Sequence, residues 1–171
     1  LFRSRFCIRR NGKNEKVPAL DCIQPIEEVY DSYSGLGMIA HRYTSYAFAQ
    51  TKDVSFNQNP CSSFIVKNIL GARWKQGTVV DADYALKVLT AGWSTIIMNR
   101  YLIDTIPPMV QKGGLTDSEY KGNGRHFRFM QLASDWPNCF EVKVMQDGTS
   151  KLFHNRIWSS FKQRPLFNKK S

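Results

Sequence analysis

Between Ala82 and Asp104 the residues Leu86, Leu89, Trp93, Ile96, Ile97 and Tyr101 recur at intervals of three and four. That spacing is the strongest constraint on the fold. It predicts one long amphipathic helix whose broad apolar face must be covered by other elements. Asp81 stands where an N-cap belongs, Asp83 adds negative charge to the first turn, and Pro107-Pro108 stops the helix. The most apolar run, Val88 to Ile103, is interrupted by Ser94, Asn99 and Arg100. It is shorter than the ~18–20 clean apolar residues that a membrane span needs, so no transmembrane segment is expected.

Around this helix the sequence reads mostly as strands. Phe64, Ile65 and Val66 form a short buried-strand pattern, and Arg73–Val80 suggests a second strand around a Gln76-Gly77 turn. Arg125–Leu132 alternates with Phe127 and Phe129 on one side. Cys139–Met145 alternates Phe140, Val142 and Val144 against Glu141 and Lys143. Asp147-Gly148 then signals a hairpin that returns through Lys151–His154. An earlier helix is expected from Pro25, with Glu27 and Glu28 in its first turn, Ile26, Val29, Tyr30 and Tyr33 on one face, and a stop at Ser34-Gly35. Met38–Gln50 fits helix and strand alike, and residues 51–62 and 112–124 read as loops. The expected fold class is α+β: one long amphipathic helix packed on a mainly antiparallel sheet, with basic N- and C-terminal extensions.

Charge decides how the chain is divided. It carries 24 basic and 14 acidic residues, a formal net charge of +10. Residues 1–13 hold Arg3, Arg5, Arg9, Arg10 and Lys13 and no acid. Residues 151–171 hold Lys151, Arg156, Lys162, Arg164, Lys169 and Lys170 and no acid. The long middle holds all the acids and is close to neutral. The division expected is a basic arm over 1–23, an α+β core over 24–154 and a basic, aromatic tail over 155–171. A hydrophobic fraction of 42% excludes wholesale disorder.

Basic ends of this kind engage polyanions. In the tail, Phe153, Trp158, Phe161 and Phe167 interleave with Arg156, Lys162, Arg164 and Lys169, and Phe2 and Phe6 do the same among the N-terminal arginines. Cations pair with phosphates while flat rings stack on unpaired bases, or else anchor the tails on the chain's own core or a neighbouring subunit. The candidate nucleic-acid-binding residues are therefore Arg3, Arg5, Arg9, Arg10, Lys13, Arg156, Trp158, Lys162, Arg164, Lys169 and Lys170.

Cys7, Cys22, Cys61 and Cys139, with His41, His126 and His154, show no metal-ligand spacing, so neither a metal nor a cofactor is expected. The cysteines read as free thiols of a reducing compartment, either the mitochondrial matrix or the cytoplasm and nucleus. The Arg-rich, acid-free opening from Leu1 fits either a segment downstream of a removed presequence or simply a basic arm.

Two short motifs point to enzymes. GNGRHFR, Gly122–Arg128, resembles the latter half of the Fic motif, which holds nucleotide phosphates. Asp117 stands where that motif has its histidine and Glu119 where it has an apolar residue, which leaves a glycine turn leading into a strand. Glu141-Val142-Lys143 resembles the carboxylate–lysine pair of PD-(D/E)xK nucleases, with Asp104, Asp117 or Asp135 as the second Mg²⁺ ligand. On an exposed strand the same three residues are solvated charge. No P-loop, dinucleotide fingerprint or nucleophile elbow is present.

The expected function is that of a non-catalytic structural subunit of a large assembly, binding RNA or DNA through its basic ends as ribonucleoprotein and capsid subunits do. The alternatives are an accessory subunit of a mitochondrial protein complex, and a Mg²⁺-dependent nuclease using Glu141 and Lys143 with Asp117.

Overall fold

A computed structural model describes residues 5–61, 63–68, 71–105, 123–155 and 160–161. The elements in chain order are β1 (Arg5–Arg10), β2 (Lys13–Val17), α1 (Ala19–Ser32), β3 (Leu36–Tyr43), α2 (Thr44–Ala47), β4 (Val54–Phe56), β5 (Phe64–Val66), α3 (Val80–Thr90), β6 (Ser94–Asp104), α4 (Gly124–Asp135), β7 (Phe140–Val144) and β8 (Ser150–His154). Six strands form one sheet in the order β2-β1-β6-β3-β5, with β4 also on β6; β7 and β8 form a separate hairpin. Among the described residues only the β3–β6 pairing is parallel, so the protein is α+β with a mainly antiparallel sheet.

The expected long helix over 82–104 is two elements. Its first half is α3; its second half is β6, the central strand. Gly92, at φ +87°, turns the chain out of α3 in a conformation that disfavours a side chain. Beyond it, Thr95, Ile96 and Ile97 are β-branched and favour a strand. Residues 94–99 are all buried, so β6 lacks the in–out alternation that marks a half-exposed strand.

A second correction concerns Arg125–Leu132, read as a strand. It is the helix α4. Its inward residues are Leu132, Ala133 and Trp136, at three- and four-residue spacing, while Phe127 is 67% exposed. The Arg73–Val80 strand does not form either; a turn at Gln76-Gly77 does. The first helix starts at Ala19, before its expected Pro25, and buries Ile26 and Tyr30. Strand β5 and the β7–β8 hairpin stand as expected.

Neighbouring residues of β3 face opposite ways. Ile39 packs with Ile26 and Tyr30 of α1, and with Ile96 and Met98 of β6. Met38 packs with Leu86, Val88 and Leu89 of α3, and this cluster extends to Leu132 of α4 and Phe140 of β7. Helices α1 and α3 therefore cover opposite faces of the sheet. No helix among the described residues is long and apolar enough to cross a membrane.

Residues 5–17, read as part of a basic arm, form the hairpin β1–β2, turned by Asn11-Gly12 with both φ values positive. Strand β1 is internal: it pairs with β2 on one side and with residues 101–104 of β6 on the other. Cys7 and Ile8 are buried. Helix α1 likewise begins before residue 24, where the core was expected to start. Among the described residues of the basic tail beyond 155, Phe161 is buried against the α3–α4 cluster.

Candidate polyanion site

Strand β3 runs along one edge of β6, pairing with it from Ser94 to Met98 and, after a register shift that skips residues 99–101, at Leu102 and Ile103. Strands β1 and β4 must therefore share the other edge. They do so end to end, β4 along residues 96–98 and β1 along residues 101–104. Asn99 and Arg100 fall between them. The result is a notch of about 180 Å³, lined by Arg9, Asn11 and Gly12 from the first hairpin, by Gln50, Thr51, Lys52 and Asp53 before β4, and by Asn99 and Arg100.

The notch is polar and basic, with three cations against the one carboxylate of Asp53. Arg9 is oriented by its donation to Asn14 Oδ1 at 3.0 Å. Lys52 and Arg100 are exposed and make no ion pair among the described residues. Buried Asn99 organises the floor. Its side-chain amide donates to the Lys52 carbonyl at 2.9 Å and to Ser55 Oγ at 2.8 Å, and its backbone N–H donates to the Asp53 carbonyl at 2.8 Å. Its Oδ1 accepts from Arg42 Nε at 2.9 Å, and Arg42 also donates to Ser55 Oγ at 3.2 Å. Arg42 thus places a fourth positive charge behind the floor.

Around Arg42 lies a second polar cluster. Burial raises the Asp81 carboxyl above its usual range, and the Ala82 N–H at 2.9 Å and the charge of Arg128 only partly offset that. Burial also raises the Cys61 thiol; Asp81 adds to the shift and Arg42 opposes it. Cys61 is thus held as a thiol, the opposite of what an activated nucleophile requires. The other polar pair of interest is His126 Nδ1 with Ser150 Oγ, at 2.9 Å. His126 has no carboxylate partner among the described residues. That leaves the pair without the third group that orients a catalytic histidine.

The expected binding residues separate. Arg9 enters the notch. Arg5 and Lys13 are exposed on the hairpin, and Arg10 pairs with Glu15 at 3.5 Å. Arg3, Arg156, Trp158, Lys162, Arg164, Lys169 and Lys170 lie outside the described residues, as does Asp117.

The nuclease pair is in place on β7, but Lys143 pairs with Glu141 itself at 3.2 Å, both are more than half exposed, and Lys143 lies 5.5 Å from the Phe153 ring centre. Asp104 accepts from Thr44 Oγ1, and Asp135 is bound by Lys75. Among the described residues no three His, Cys, Asp or Glu side chains gather as metal ligands.

Lys52, Asn99 and Arg100 were not candidates from sequence. Their signal was the polar Asn99-Arg100 break inside an otherwise apolar run, where a strand has to meet something other than core. Set against protein-family models, curated proteins and solved structures, the chain matches none.

Proposed function

We propose that this chain is a non-catalytic subunit of a larger assembly that binds RNA or DNA through phosphate contacts, with the notch between β1 and β4 as an ordered part of the contact. The observation that carries this reading is the convergence of Arg9, Lys52 and Arg100 on one cavity, with Arg42 behind it. These cations come from three separated stretches of chain. Their like charges repel, and an anion seated among them relieves that repulsion. Three cations around a space of this size suit the phosphates of a nucleic-acid backbone, which carry no base information, so binding is sequence-tolerant. The basic residues at the C-terminus, Arg156, Lys162, Arg164, Lys169 and Lys170, would add further phosphate contacts.

The test is the salt dependence of binding to labelled RNA and DNA, read by fluorescence anisotropy. Affinity should fall steeply with salt. The triple substitution Arg9→Gln, Lys52→Gln, Arg100→Gln should lower the slope of log K against log [salt] by about 2–3, since each lost phosphate contact removes roughly 0.7–0.9. Affinity that ignores salt would defeat the reading as a whole. A triple variant that keeps the wild-type slope would remove the notch from it.

A further inference from the structure

The two faces of the β1–β2 hairpin carry different charge. Side chains alternate along a strand, so Arg5, Cys7 and Arg9 of β1 share one face. Cross-strand partners share a face as well. Lys16 stands opposite Cys7 and Asn14 opposite Arg9, and the Arg9–Asn14 hydrogen bond at 3.0 Å agrees with that placement. Phe6, Ile8 and Arg10 belong to the other face, with Val17, Glu15 and Lys13 opposite them. Glu15, the hairpin's only acid, is thus on this second face and pairs there with Arg10. Phe6 also turns inward from it, meeting the His41 ring edge-on at 5.3 Å between centroids.

The first face continues the notch. On β6, Leu102 stands opposite Cys7 and Asp104 opposite Arg5, and the same register brings Arg100 beside Arg9. Arg9 and Arg100 both line the notch. From the notch outward the face therefore presents Arg100 and Arg9, then Lys16, then Arg5. Burial raises the Cys7 thiol and Asp104 adds to the shift, while Lys16 and Arg5 oppose it. All three charges thus act on one side chain, as groups on its own face must. Asp104 is the acid of this stripe, and it accepts from Thr44 Oγ1 at 2.9 Å. Lys16 and Arg5 are exposed and make no ion pair among the described residues. Helix α2 lies over β6 and β3, and its Ala47 meets Cys7 from that side, so the stripe is walled on one flank and open over β1 and β2. Arg9 and Arg5 are four residues apart on one strand, about 13 Å, with Lys16 between them. A row of cations at such steps matches a row of anions, which is what the phosphates of an extended strand supply.

We infer that a nucleic-acid backbone leaves the notch along this face of the hairpin, with successive phosphates on Arg9 and Arg100, then Lys16, then Arg5. This rests on the nucleic-acid reading above and adds to it a path. It brings in Lys16 as a binding residue and leaves Arg10 and Lys13, on the other face, out of the contact.

The experiment compares two double variants that remove the same charge from opposite faces, by anisotropy with labelled oligouridylate over a range of salt. Arg5→Gln with Lys16→Gln should lower the slope of log K against log [salt] by about 1.4, since each phosphate contact on a single strand contributes roughly 0.7. Arg10→Gln with Lys13→Gln should keep the wild-type slope. Arg5→Lys with Lys16→Arg, which preserves both charges, should keep it as well. Thermal melts of all three establish that they are folded. An equal fall in slope for the two charge-removing variants would overturn the path in favour of a general positive field. A wild-type slope for Arg5→Gln with Lys16→Gln, alongside a reduced slope for the triple variant of the notch, would overturn the path and leave the notch reading standing. Failure of wild type to bind any nucleic acid at low salt would defeat both readings together.

Discussion

The central pair β3–β6 and the hairpin β7–β8 are built to opposite specifications. Residues 36–41 of β3 and 94–99 of β6 are buried throughout, between α1 on one face of the sheet and α3 on the other. In the hairpin only Phe140 and Ser150 are buried; Val144 is 64% exposed, and Lys143 lies against Phe153 in solvent. The first pair is where the chain keeps its stability. The second is attached through α4 and reaches the core only through Phe140 and, in part, Leu152. Neither forms the notch by itself: that lies where β6 passes from one partner strand to another, at the border between packed and open structure.

The largest expected effect tests that contrast directly. Leu102 is fully buried where β1, β6 and β3 meet, packed with Cys7 and Ala47. Leu102→Ala should cost about 2–5 kcal/mol in chemical denaturation. A loss below about 1 kcal/mol would show that this end of the sheet is not part of the cooperative core.

Next comes Asn99→Ala, which strips the notch floor of its hydrogen bonds to Arg42, Ser55 and the Lys52 carbonyl. Leaving those buried groups unpaired should cost about 1–3 kcal/mol. The same variant should weaken nucleic-acid binding even though no cation has been removed. Stability lost with affinity intact would mean that the floor does not position Lys52.

Asp81→Asn is a smaller effect with a distinctive pH signature. The folded-state pKa of Asp81 lies above its unfolded value, chiefly because of burial. The folded protein then holds the proton more tightly than the unfolded chain, so this group's stabilising contribution is complete below about pH 3.9 and is lost as pH rises through the folded pKa. Asparagine keeps an oxygen for the Ala82 N–H and never ionises. Its melting temperature should exceed that of wild type near neutral pH, and the gap should close in acid. A constant gap across pH would assign the effect to packing.

The smallest effect belongs to the hairpin. Val144→Thr, on its exposed end, should change stability by no more than about 0.5 kcal/mol. A larger loss would mean that the open end of the hairpin is coupled to the core that Phe140 enters.

How legible each part is in sequence follows the same contrast. The hairpin is open on one side, so its residues alternate, and Asp147-Gly148 marks the turn. β6 is buried on both faces, so its apolar residues are consecutive. Ile96, Ile97 and Tyr101 continue the helical spacing of Leu86 and Leu89 across Gly92 without a visible break in period. In α4 the alternation of Phe127 and Phe129 concealed a helical face that runs through Leu132, Ala133 and Trp136. Of the notch, Arg9 was visible as one of a basic cluster. Lys52 and Arg100 were not, because pairing between β4 and β6 brings them beside it, and pairing over such separations leaves no local trace. The nucleic-acid contacts expected at the N-terminus thus have a different dependence on the fold: Arg9 cannot be trimmed away without removing an internal strand.

The place of β6 in the sheet also sets an order of events during synthesis. β1, β3 and β4 all pair with it, yet it follows them in the chain. At about 5–20 residues per second, the interval from Arg10 to Ser94 is on the order of ten seconds. Through that time β1 and β2 have only each other, β3 lacks its parallel partner, and the apolar residues of β3 and α1 have no sheet to close over them. Non-local pairing of this kind slows folding and lengthens exposure. The emerging chain therefore has a vulnerable period that ends when one late strand arrives, and substitutions that slow the entry of β6 should reduce the yield of folded protein more than their effect on the finished molecule would suggest.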